Sequence, residues 1–120
     1  MALIIKKDNS VRKWFDIPGG GGAQVLLRME GESEAALGTE ALYTKVYAGA
    51  SVSEDIEKLY LNAIEDWRGG VEDESGKALK CTVTNKRLFI RQDGIIHFLR
   101  ESLAEMREGL EQERKAAEKN

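Results

Sequence analysis

Cysteine and histidine are almost missing from this 120-residue chain, in which Cys81 and His97 stand alone. A lone cysteine excludes an intramolecular disulfide framework and any multi-cysteine zinc or iron–sulfur centre, and it fits a reducing cytosol. A lone histidine excludes paired-histidine metal sites, including His-Glu-x-x-His zinc binding. An excess of positive charge is absent too, with 18 Lys and Arg against 21 Asp and Glu and a formal net charge of −3. Sequence-independent attraction to phosphate backbones needs such an excess, so nucleic acid is not an expected partner. No apolar run approaches the ~18–20 residues that span a bilayer, and the short apolar start Ala2-Leu3-Ile4-Ile5 precedes Lys6-Lys7, the reverse of signal-peptide order. The expectation is a cytoplasmic protein with no membrane contact and no cofactor.

What the chain does contain is ordinary for a folded domain, with 42% hydrophobic and 32% charged residues. Its length holds one core and not two. The reading is a small single α+β domain over residues 1–110, followed by a solvated C-terminal tail over 111–120. Charge is unevenly spread, because residues 30–77 carry twelve acidic side chains against four basic ones.

The first third reads as strands. Leu3-Ile4-Ile5, residues 11–17 and residues 24–29 are short and rich in β-branched or aromatic side chains. Pro18 and Gly19 to Gly22 lie between the last two and predict an N-terminal β-hairpin. In residues 31–50, Glu34-Ala35-Ala36-Leu37 suggests helix while Tyr43-Thr44-Lys45-Val46-Tyr47 has strand propensity, with Gly38 and Gly49 interrupting, so part of the segment reads as loop. Ile56, Leu59, Tyr60, Ala63, Ile64 and Trp67 recur at helical spacing before Gly69-Gly70, which predicts a central amphipathic helix over 56–67. A second short hairpin is expected around Asp73-Glu74-Ser75-Gly76, then a short helix opened by Thr82 or Thr84. Asp93 is placed to cap a last helix whose seam is Ile96, Leu99, Leu103, Met106 and Leu110.

No combination of these residues builds a catalytic, cofactor or metal site. The glycines 19–22 lack the Gly-Lys-Ser/Thr of a phosphate loop and lead into a strand pattern. Aligning Gly76 with the glycine of a calcium loop puts Val71 where a carboxylate is needed. His97 and Ser102 lack the activating context of a nucleophilic triad, and Cys81 lacks a redox partner. Lys6, Lys7, Arg12 and Lys13 read as a solvated basic face. The apolar seam of the last helix is the feature that points outward. A domain of this size with one long seam can leave part of it for another helix, and Leu99, Leu103, Met106 and Leu110 are the candidate partner-binding residues.

The stretch Ile64-Glu65-Asp66-Trp67-Arg68-Gly69-Gly70-Val71-Glu72-Asp73-Glu74-Ser75-Gly76-Lys77-Ala78-Leu79-Lys80-Cys81-Thr82 resembles the tail assembly chaperones of long-tailed bacteriophages and prophages. In that family a helix ends in a tryptophan, then an acidic-Gly hairpin, a Thr- or Ser-capped short helix and a charged C-terminal helix follow. Trp14-Phe15-Asp16-Ile17 with Ala23-Gln24-Val25-Leu26-Leu27-Arg28 is similar to the family's N-terminal hairpin, whereas residues 31–50 have no counterpart. The resemblance implies a non-enzymatic protein that binds the tape-measure protein and promotes assembly of tail-tube protein around it. It also implies possible self-association, residence in the host cytoplasm and absence from the mature virion. The alternative is a structural head–tail connector or tail-completion protein. The family is often made in two lengths by ribosomal slippage, and Glu118-Lys119-Asn120 can be encoded by a slippery A-AAA-AAC heptamer.

Overall fold

The β-branched, aromatic and aliphatic segments on either side of the turn at residues 18–22 form two N-terminal strands where the sequence places them. In the computed structural model, which describes residues 2–5, 7, 9–51 and 53–118, these are β1 (Val11–Asp16) and β2 (Gln24–Met29). They pair antiparallel from Val11 opposite Met29 to Asp16 opposite Gln24. The Ile17 amide donates to the Ala23 carbonyl (2.9 Å), and Gly19, Gly21 and Gly22 take positive φ in the turn between them. Leu3, Ile4 and Ile5, expected as a strand, are exposed and unpaired in regular structure. Strand propensity does not make a strand where no neighbouring strand supplies a ladder.

Among the described residues, four helices and a third strand complete the α+β domain: α1 (Glu32–Tyr47), α2 (Ser53–Ala63), β3 (Ile64–Arg68), α3 (Val83–Ile90) and α4 (Ile95–Glu118). The sheet order is β1-β2-β3, antiparallel throughout. The central helix expected over 56–67 therefore stops at Ala63, and Ile64 to Trp67 belong to the sheet. The reason lies in the register. Leu26 opposes Asp66 and Leu27 opposes Ile64, which leaves Glu65 as an extra residue in the manner of a β-bulge. In a regular strand, residues three apart face opposite sides. The bulge turns Ile64 and Trp67 to the same buried side, so their helical spacing is that of a bulged strand.

Residues 31–50, read partly as loop, instead hold the continuous helix α1, which runs through Gly38. The strand propensity of Tyr43, Val46 and Tyr47 is overridden because the helix satisfies its own backbone locally whereas a strand needs a partner. The second hairpin is minimal, a single Glu72–Ala78 bridge with the Leu79 amide donating to the Val71 carbonyl (2.9 Å). Thr82 caps α3, its hydroxyl accepting the Asn85 amide at 3.3 Å. In α4 the Phe98 amide donates to the Gly94 carbonyl (3.0 Å), so the helix opens one residue after the expected Asp93 cap. The tail expected from residue 111 continues α4 as exposed helix to Glu118. Lys119 and Asn120, and with them the slippage expectation, lie outside the described residues, as does Lys6.

One face of the sheet holds the core. Val25, Leu27, Ile64 and Trp67 meet Leu61 of α2, Phe89 and Ile90 of α3, and Ile95, Leu99 and Met106 of α4. Trp67 packs edge-on against Phe89, ring centres 5.6 Å apart, and its indole N–H donates to the Leu79 carbonyl at 2.8 Å. The other face is polar. Arg68 stacks over Trp14 at 3.9 Å, its Nε donates to Gln24 Oε1 (2.9 Å), and Gln24 Nε2 donates to Asp16 Oδ1 (2.9 Å).

Candidate functional site

The four residues expected to meet a partner do not form one accessible stripe. Leu99 is fully buried and Met106 is 5% exposed, both in the core, while Leu103 and Leu110 are half-buried. Helical periodicity places these side chains on one side of α4, and the sheet occupies that side. Leu99 and Met106 cannot touch a partner while the domain is folded, which leaves Leu103 at the margin of the core and Leu110 half-buried further along α4.

Exposed apolar surface is concentrated elsewhere, on α1 and the adjoining turns of α2. Tyr43, Val46 and Tyr47 share one face of α1 at i, i+3 and i+4 spacing and are all exposed, Tyr47 to 88%. Leu37 of α1 and Ile56 and Leu59 of α2 are exposed as well. Half-buried Leu42 lies with Leu59 in a shallow groove of about 220 Å³ between the two helices. Lys45 Nζ reaches Asp55 Oδ1 at 3.0 Å across the same junction. The helix spacing of Tyr43, Val46 and Tyr47 was the available signal for this surface, masked by the strand propensity of the same three residues.

The remaining candidates are distributed around the domain. Arg12 and Lys13 leave opposite faces of β1, Arg12 Nε to Glu65 Oε2 at 2.6 Å and Lys13 Nζ to Glu105 of α4 at 3.6 Å, so they form no common basic face with Lys7. His97 is exposed and meets Glu101 at 3.1 Å, whereas Ser102 is buried on the core side of α4. The two are not brought together. Asp73 Oδ1 accepts from the Ser75 hydroxyl (2.7 Å), the Ser75 amide (2.9 Å) and the Lys77 amide (3.0 Å), and these donors, the Ser75 hydroxyl foremost, hold its carboxyl below the usual range. Its oxygen thus organises the turn. Cys81 is half-buried, and burial pushes its thiol up against the opposing pull of Lys86, with Asp66 adding to the rise. No group of three or more His, Cys, Asp or Glu side chains suited to a metal ion occurs among the described residues, and no described helix is long and apolar enough to cross a membrane.

No protein-family model matches the chain, and no curated protein or solved structure matches it either.

Proposed function

We propose that this protein is a non-enzymatic tail assembly chaperone of the long-tailed phage type, which binds the tape-measure protein and promotes assembly of the tail tube around it. The observation that carries the proposal is the exposed apolar surface of α1 and α2, centred on Tyr43, Val46 and Tyr47. Large apolar side chains gathered on one exposed surface favour contact with another apolar surface over water. A tape-measure protein is a long helical ruler whose apolar seams stand exposed before the tube covers them, and a helix face is suited to cover such a seam. The acidic excess of residues 30–77, the stretch that holds both helices, keeps loaded complexes apart by like-charge repulsion. On this reading the chain acts in the host cytoplasm and leaves before the virion is complete.

The test is co-expression with a tape-measure protein. The unaltered chain should hold it in the soluble fraction, and Tyr43→Glu with Tyr47→Glu should return it to aggregates while the chaperone itself keeps its melting temperature. A tape-measure protein that stays soluble with the double variant would overturn the assignment of this surface.

A further inference from the structure

On a chain of net charge −3, one cleft is lined by cations. It measures about 410 Å³ and opens where β2 runs on past the last rung of its pairing with β3. Arg28 enters it from β2, Lys58 from α2, and Lys86 and Arg87 from α3. Its one carboxylate, Glu65, is engaged by Arg12 at 2.6 Å. Arg87 lies 3.7 Å from Glu57, and Arg28 lies 4.0 Å from Glu30. The ammonium groups of Lys58 and Lys86 have neither an ion pair nor a hydrogen bond among the described residues, the Lys86 backbone amide donating to the Thr82 carbonyl at 2.8 Å. Val83, in the first turn of α3, also borders the cleft, so the positive end of that helix dipole adds to the field. Four cations sharing one depression repel each other, and an anion seated there relieves the repulsion.

The shape restricts what that anion is. Exposed Val83, with the small exposed edge of Leu61, gives the cleft an apolar wall, so its occupant carries aliphatic groups beside the charge. The cleft is open and shallow, whereas small ligands are held in sites that enclose most of their surface. Lys58 and Asn62 line both this cleft and the groove between α1 and α2, so the two lie side by side along α2. That extent suits a length of polypeptide. We infer that the cleft binds a segment of a partner protein in which Asp or Glu side chains alternate with aliphatic ones, the carboxylates meeting Lys58 and Lys86. The inference rests on the cleft alone and stands whether or not the chain is a tail assembly chaperone.

The probe is a fluorescein-labelled peptide, Glu-Leu-Glu-Glu-Leu-Leu-Glu-Leu, with its Gln-for-Glu counterpart as control, followed by fluorescence polarisation against the full chain. The acidic peptide should bind, weaken steeply with added sodium chloride, and bind at least about fivefold more tightly than the control. Lys58→Ala with Lys86→Ala should weaken it by at least about fivefold at an unchanged melting temperature. Should that variant not fold, amide shifts in the unaltered chain locate the peptide, and they should fall in α2 and at the start of α3. Equal binding of the control peptide, shifts confined to other elements, or undiminished binding by the folded double variant would overturn the inference. So would displacement of the peptide by inorganic phosphate beyond what sodium chloride of equal ionic strength causes, which would make the cleft a phosphate site.

Discussion

Replacing Trp67 tests the link between the bulged strand and the core. The side chain is 8% exposed, packs edge-on against Phe89 at 5.6 Å, and donates its indole N–H to the Leu79 carbonyl at 2.8 Å. Trp67→Ala removes the ring and leaves a cavity between β3 and α3, a change that costs about 3–5 kcal/mol in a packed core. Trp67→Phe keeps an aromatic ring against Phe89 but removes the indole donor, and the lost bond alone is worth about 1 kcal/mol. Since domains of this kind are stable by about 5–15 kcal/mol, the alanine variant should lose a large share of its stability. Urea unfolding followed by far-ultraviolet circular dichroism measures both, provided the slopes stay equal to that of the unaltered chain. A Trp67→Ala loss below about 1 kcal/mol would refute the buried role. Equal losses for the two variants would refute the assignment of most of the energy to ring packing.

Three further outcomes follow from local geometry. Gly69 has φ +82°, and a Cβ there would lie 2.6 Å from the Gly22 carbonyl oxygen, so Gly69→Ala should cost about 2 kcal/mol or more in urea unfolding by combining backbone strain with a clash against the β1–β2 turn. Gly38 lies in the middle of α1, where an added Cβ would meet nothing within 4 Å, so Gly38→Ala should stabilise the protein by up to about 1 kcal/mol, read in the same assay. Burial raises the Cys81 thiol, which depletes the reactive thiolate, so iodoacetamide at about pH 8.5 should alkylate native Cys81 more slowly than the urea-unfolded chain. Equal rates would contradict the direction of that shift.

The parts of the fold legible in sequence are those whose pattern has one structural meaning. Val25 and Leu27 alternate with less buried neighbours and lie on the core face of β2, and Thr82 three residues before Asn85 caps α3. Ile64 and Trp67 were ambiguous because a bulge gives a strand the spacing of a helix turn, and nothing within the segment itself announces the extra residue Glu65. In α1, three residues with strand propensity occupy a helix because no strand lies beside them. The surface was harder still. Periodicity identified the apolar side of α4 but not that the sheet covers Leu99 and Met106. Arg28, Lys58, Lys86 and Arg87 come from three separate elements, so only the fold assembles them around one cleft.

Docking of an apolar helical partner on α1 is open to amide hydrogen exchange, measured on the chain alone and in complex with a purified tape-measure protein. A helix with few buried contacts opens readily and gains protection when covered. Exchange across Tyr43 to Tyr47 should be fast in the free chain and markedly slower in the complex, with little change in β1 and β2. A stable complex in which α1 exchanges as fast as before, with protection appearing only in other elements, would contradict docking on this helix.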